Sequence, residues 1–390
     1  MIKRQIATEL HALLGEYPIV TVLGPRQSGK TTLVKSELPG WAYCNLESPD
    51  VRQFATEDPR AFLGGFGGNV ILDEIQRVPE LLSYIQSDVD ATPGNGRYVL
   101  TGSHQLALHQ AITQSLAGRT AILRLYPFSI AELKGAGVTA PGFAEWIHRG
   151  FLPRIHDRGQ RPYQAYSNYF QTYVERDVRQ IANLRDFALF EKFMRLLAGR
   201  AGQLIDYTSI ANDLGTSVNT VKAWLSVLEA SFIVFRLPPY FESFGKRSVK
   251  APKYYFVEPG LLAFLLGIET PAQLRRDPLV GSLFENLVVV ECLKERANRA
   301  QPTELWFFRD SHGNEVDLLC PRAGQLHAIE IKSASTYSAS FLKGLRRART
   351  LSPSIARAWL VYSGEPMQFS DGIEALRYDE VSRVFASEPS

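Results

Sequence analysis

The sequence has little cysteine: three residues in 390. Cys44, Cys292 and Cys320 are odd in number, far apart and form no CxxC pair. That excludes a disulfide framework and a zinc knuckle, and it fits a reducing, cytoplasmic setting. Long apolar runs are missing too. The longest, Leu261 to Ile268, falls far short of the ~20 residues a membrane helix requires, and the N-terminal MIKRQIATELHALLGEYP is amphipathic without a signal-type core. No membrane partner is expected. Nor does one charge sign prevail: 43 basic against 40 acidic side chains leave +3. Such a total neither demands nor excludes nucleic acid, whose binding depends on local patches. Internal repeats and low-complexity tracts are absent. What remains, 45% hydrophobic and 21% charged, is an ordinary soluble composition, and at roughly 100–200 residues per domain it implies two or three domains.

Ile2, Ile6, Leu10 and Leu13 fall near helical spacing, and Ile19 to Leu23 then form a β-rich run ending at a glycine. Further β-like runs, Ala42 to Leu46, Asn69 to Leu72, Arg97 to Leu100 and Ala121 to Leu125, alternate with helical patterns. The expectation is an α/β unit with a mostly parallel sheet covered on both faces, closed by the loop-like GAGVTAPG from Gly135 to Gly142. A mostly helical stretch follows, in which Tyr163, Tyr166, Phe170, Tyr173 and Val174 recur as a buried face. Helix Ser209 to Leu214, a turn at Gly215, helix Val218 to Ala230 and strand Phe232 to Leu237 give the order of a winged helix-turn-helix. The last third reads as a helix from Phe284 to Arg296, strands Glu304 to Arg309, Glu315 to Cys320 and His327 to Lys332, a basic helix Phe341 to Leu351 and a strand Ala358 to Tyr362. The expected division is 1–135, 136–258 and 259–390.

Gly24-Pro25-Arg26-Gln27-Ser28-Gly29-Lys30-Thr31, followed by Thr32, matches GxxxxGK[ST], between a strand and a helix. Glycines let the backbone curl so that its N–H groups face phosphates, and the helix N-terminus adds partial positive charge. Lys30 would reach the β- and γ-phosphates of ATP, and Thr31 would place a hydroxyl on Mg²⁺. In Asn69-Val-Ile-Leu-Asp73-Glu74, an apolar strand ends in two acids: Asp73 for the Mg²⁺ shell, Glu74 to orient and deprotonate the attacking water. Tyr98-Val-Leu-Thr-Gly-Ser103-His104 is a strand ending in small polar residues, with Ser103 favoured over His104 to sense the γ-phosphate or position the water. Arg119 in LAGRT is a candidate arginine finger, within one chain or across a subunit boundary, so a monomer and a homo-oligomer both fit.

Taken in order, GPRQSGKTT, VILDEIQ, VLTGSHQ, LAGRT and LYPFSIAEL resemble the prokaryotic AAA-type ATPases joined to a C-terminal domain of unknown function. YVERDV, the winged-helix block and FEN…EVDLL…IEIK are similar to that family's second half. The resemblance implies an ATPase core, a winged helix and a restriction-endonuclease-like end, with no agreed substrate. Tyr173, Arg176 and Asp177 lie in one of these blocks, with a chemistry that the residues do not disclose.

Glu285, Asp317, Glu330 and Lys332 form E…D-x(12)-E-x-K. Glu330 and Lys332, two apart on a strand, share a face. Two carboxylates there would hold Mg²⁺ with Glu285 completing the shell, and Lys332 would stabilise charge on a phosphodiester or help activate a water. The element order is that of the PD-(D/E)xK nuclease core, with Val316 where the strong motif has proline. A salt-bridged sheet edge and a core that binds without cleaving remain alternatives. Arg236, Lys246, Arg247, Lys250 and Lys253 against Glu242, and Lys343, Arg346, Arg347 and Arg349, are candidate contacts to nucleic acid, DNA ahead of RNA. A solvated face is the other reading. Asn219, Thr220 and Lys222 would reach base edges. The expected activity is ATP hydrolysis coupled to a nucleic-acid-binding or nuclease module; an ATP-controlled switch or repressor with a silent C-terminal core is the alternative.

Overall fold

The computed structural model describes residues 2–103, 115–174, 186–240, 250–310 and 313–386. The chain divides into two compact units. One comprises Met1–Phe128 with Ala230–Phe232 and Ala297–Gln301; the other comprises Ser129–Glu229, Ile233–Arg296 and Pro302–Ser390.

In the first unit, β1 (Ile19–Leu23), β2 (Ala42–Asn45), β3 (Val70–Asp73), β4 (Tyr98–Gly102) and β5 (Thr120–Arg124) form one sheet in the order β2-β3-β4-β1-β5. All its pairings are parallel. The expected sheet is therefore present, with strand ends moved by one or two residues. β1 and β4 are buried along their whole length, which is why IVTVL and YVLTG lack the alternation of a half-exposed strand. Ile6 and Leu10 of the N-terminal segment and Leu33 and Val34 of the helix Lys30–Glu37 pack with Val20 and Val22 of β1. At one end of β1, Ile19 lies opposite Tyr98 and Thr120; at the other, Leu23 lies opposite Gly102 and Arg124. The parallel arrangement thus brings Gly24, Asp73 and Ser103, each at a strand's C-terminal end, to one edge.

In the second unit, Asp206 caps the helix Tyr207–Leu214 through the Thr208 and Ser209 amides, and Gly215 ends it at φ 67°. A residue with Cβ adopts that conformation poorly. The helix Val218–Ala230 follows, then the antiparallel pair β6 (Val234–Leu237) and β7 (Lys253–Phe256). A six-stranded mixed sheet completes the unit: β8 (Trp306–Arg309), β9 (Glu315–Arg322), β10 (Gln325–Lys332), β11 (Ile355–Tyr362), β12 (Met367–Gln368) and β13 (Glu374–Arg377), in the order β12-β13-β11-β10-β9-β8. Leu345 and Ala348 of the helix Lys343–Leu351 pack into its core. β12 and β13 were not expected, being too short to show a period of two. Of the aromatic face, Tyr166 and Phe170 are buried and Tyr163 is exposed; the side chains of Tyr173 and Val174 lie outside the description. No helix among the described residues is long and apolar enough to cross a membrane.

Candidate functional site

The turn from β1 into the helix Lys30–Glu37 has Gln27 at φ 62° and Gly29 at φ 92°. Two left-handed residues so close together curl the backbone, as a phosphate-binding loop requires. A Cβ on Gly24 would collide with the Leu125 carbonyl. Lys30 is almost wholly buried, its Nζ donating to the carbonyls of Gly24 at 2.9 Å and Pro25 at 2.8 Å. Ser28 Oγ is buried without a hydrogen-bond partner. Arg4, which the sequence analysis did not single out, braces the loop: its guanidinium donates to the carbonyls of Ser28 at 2.8 Å and Tyr126 at 2.7 Å. Its partners are 24 and 122 residues away in sequence, so no local pattern marks it.

Asp73, at the end of β3, accepts from Thr31 Oγ1 at 2.9 Å, from the Tyr43 hydroxyl at 2.7 Å and from Thr101 Oγ1. Thr31 and Asp73, each expected at Mg²⁺, are thus hydrogen-bonded to one another, and Tyr43 and Thr101 join them. Burial, and then Asp73, push the Tyr43 phenol above its ordinary range, so it stays a donor. Glu74 has φ 61°, unusual for a residue with a side chain, and its amide donates to Thr101 Oγ1 at 3.2 Å. Its Oε2 accepts from Gln76 Nε2 and from Ser103 Oγ, the latter at 3.3 Å. Ser103 therefore adjoins Glu74; His104 lies outside the described residues.

Arg119 is the correction in this unit. Its carbonyl accepts from the Ile19 amide, at the N-terminal end of β1, ~17 Å of strand from Gly24. Its side chain is engaged by Asp90, at 2.6 and 2.8 Å. The parallel sheet that gathers the other residues carries the segment before β5 to the opposite edge, so Arg119 does not reach the loop of its own chain.

In the second unit, hairpin strands β9 and β10 bring Asp317, Glu330 and Lys332 together. Lys332 Nζ lies 2.7 Å from Glu330 Oε1 and 3.4 Å from Asp317 Oδ2, which also accepts from the Ile331 amide at 2.7 Å. Burial, and then Asp317, push the Glu330 carboxyl up to about 8, and its Oε2 is buried without a partner. Glu285 departs from expectation. Its Oε1 accepts from Lys253 Nζ at 3.1 Å and from the Tyr255 hydroxyl at 2.5 Å, while Lys253 also meets Glu315 at 2.7 Å. Burial works against the charge on Lys253, but Glu285, Asp317 and Glu315 outweigh it and hold its ammonium above the usual lysine range. Among the described residues no three His, Cys, Asp or Glu side chains form a metal-holding group. The expected third carboxylate is paired with a lysine, and Lys253, expected on a basic surface, is buried.

Of the other basic residues, Lys246 and Arg247 lie outside the described residues, as do Arg176, Asp177 and Glu242. Arg346 and Arg349 are tied to Asp371, by its carboxylate and its carbonyl, both at 2.7 Å. Arg236, Lys250, Lys343 and Arg347 are exposed. In the second helix of the helical pair, Thr220 bonds Ser217 at the helix start and Lys222 lies over the Tyr207 ring; Asn219 is exposed.

A parallel sheet with a glycine-curled loop after the interior strand β1, and acids ending β3 on the far side of β4, defines a P-loop ATPase unit of the AAA type, which suggests ATP binding and hydrolysis. A family model described as an AAA domain matches residues 16–134; two domains of unknown function, DUF8612 and DUF4143, match residues 101–272 and 280–381. The chain belongs to a family of AAA-type ATPases that includes the uncharacterized protein Rv2008c of Mycobacterium tuberculosis, with which it is 30% identical over 382 residues, 97% of this chain and 84% of that protein. An uncharacterized protein of Haemophilus influenzae is 25% identical over 251 residues, 61% of this chain and 59% of the other. Among solved structures, the Walker-type ATPase PABY2304 of Pyrococcus abyssi is similar at 17% identity and a TM-score of 0.46, over 68% of this chain and 96% of that one.

Proposed function

We propose that this protein hydrolyses ATP with Mg²⁺ and couples the nucleotide state to a C-terminal nucleic-acid-binding or nuclease module. The observation that carries the ATPase reading is the 2.9 Å bond from Thr31 to Asp73 beside the curled loop. Thr31 and Asp73 would hold Mg²⁺. The loop amides from Gly24 to Thr32 and Lys30 would hold the phosphates, and the orphaned Ser28 hydroxyl suits an oxygen-rich ligand. Bound Mg²⁺ would offset negative charge on the phosphoryl oxygens. Glu74 orients and deprotonates the attacking water, with Ser103 beside it. Arg119 could act only on a neighbouring copy. Lys30→Ala is expected to weaken ATP binding, and Glu74→Gln to slow hydrolysis by about two to four orders of magnitude with binding retained; wild-type turnover in Glu74→Gln would refute the role given to Glu74.

Residues 1–135, 136–258 and 259–390 are read as ATPase, helical region with winged helix, and restriction-endonuclease-like core. The pair of helices around Gly215 followed by β6 and β7 supports the second of these; the convergence of Asp317, Glu330 and Lys332 supports the third. Exposed Arg236, Lys250, Lys343 and Arg347 are the phosphate contacts this reading assigns, on DNA before RNA. A second reading, a switch with a catalytically silent core, is favoured by the Lys253–Glu285 pair, which holds a lysine where a third carboxylate would have bound metal. Incubation of single- and double-stranded DNA and RNA with Mg²⁺ or Mn²⁺, with and without ATP, separates the two. Cleavage abolished by Glu330→Ala or Lys332→Ala supports the nuclease; intact substrate throughout supports the switch.

A further inference from the structure

We propose that Gln76 is a positioning residue of the ATPase site, holding the carboxylate of Glu74 in place for the attacking water. The inference rests on the ATPase reading above and deepens it. Glu74, in its left-handed conformation, leads directly into the single 3₁₀ turn Ile75–Arg77. That turn folds residue 76 back, so that Gln76 Nε2 donates both to Glu74 Oε2 and, at 3.2 Å, to Ser103 Oγ. Ser103 Oγ itself donates to the same carboxylate oxygen. Three side chains from two neighbouring strand ends thus form a closed triangle around one atom, Glu74 Oε2. The other carboxylate oxygen, Oε1, is the one left to accept a proton from water.

The amide also carries a signature of function. Gln76 Oε1 is buried and has no hydrogen-bond partner. Native proteins rarely leave a buried amide oxygen unpaired, and a side chain selected only for packing would have no reason to be polar here. An amide is suited to the task because it donates to a carboxylate without carrying charge. A lysine or arginine would hold Glu74 more tightly but would also weaken it as a base. Backbone geometry adds to the constraint. The Glu74 amide is fixed by Thr101, which also bonds Asp73, so the main chain and one carboxylate oxygen are anchored independently.

The test is a double-mutant cycle on steady-state ATP hydrolysis with Gln76→Ala, Glu74→Gln and the pair, in the full chain. Gln76→Ala is expected to lower kcat roughly ten- to hundredfold with KM for ATP within about twofold of wild type. In the Glu74→Gln background the same change should alter kcat by less than about twofold, because the residue acts through Glu74. Equal losses in both backgrounds, or kcat unchanged by Gln76→Ala, would overturn the proposal while leaving the ATPase reading intact. If Gln76→Ala fails to fold, Gln76→Glu serves in its place: it keeps the size, replaces the donor with a repelling carboxylate, and should lower kcat at least as far. Absence of hydrolysis by wild type would overturn both readings.

Discussion

At the scale of the residue, Glu330 couples chemistry to stability. Its carboxyl is pushed up to about 8 from an ordinary value of 4.5, first by burial and then by Asp317. The fold therefore favours its protonated form. The stabilisation from that proton is complete below about pH 4.5 and is lost as pH rises through about 8. The thermal midpoint of the wild type should accordingly fall between about pH 5 and pH 8 more steeply than that of Glu330→Gln, which cannot ionise; parallel slopes in a pH series of melts would contradict the assignment. The residues of the first site were largely legible in sequence because each sits in a short local motif. Lys30, Thr31, Asp73, Glu74 and Ser103 all lie in such motifs. Arg4, Tyr43 and Thr101 were not legible, since their roles depend on partners 24 to 122 residues distant. Gln76 lies two residues beyond Glu74, and only the 3₁₀ turn Ile75–Arg77 brings its amide back to that carboxylate.

At the scale of the element, β7 has a function its sequence conceals. KYYF reads as an apolar strand with a basic first residue. Yet Lys253 reaches Glu285 on the helix Val280–Asn298 and Glu315 on β9, and Tyr255, on the same face two residues on, bonds Glu285 as well. One strand thus ties a helix and a second sheet through a buried ion pair. Removing one member of such a pair leaves the other charge buried and unmatched. Lys253→Met should therefore destabilise the protein by about 3 kcal/mol in denaturant unfolding, and Glu285→Gln with Lys253→Met should recover part of that loss. A loss below about 0.5 kcal/mol would show the pair to be no more than a surface contact. Strands and helices of the first unit were predictable because alternation of β-rich runs with helical patterns has few solutions. Short β12 and β13 were not, nor was the destination of Arg119, which only the strand register decides.

At the scale of the whole molecule, the first unit is assembled from three stretches of chain. Phe232 meets the Tyr126 ring edge-on at 6.0 Å, and Asn298 donates to Gln5 at 3.1 Å. A fragment cut at residue 135, where the sequence alone places the boundary, lacks both stretches. It should melt well below the full chain, by roughly 5 °C or more, and be cleaved faster in limited proteolysis. Equal melting of fragment and full chain would show the later stretches to be dispensable. The same arrangement bears on synthesis. A polypeptide leaves the ribosome from its N-terminus, at about 5–20 residues per second. The main stretch of the nucleotide unit is made well before its other two, so the unit stays unfinished until residue 301 emerges. For much of its own translation the nascent protein carries an incomplete ATPase, and a defect near residue 300 would reach back to the part that was made first.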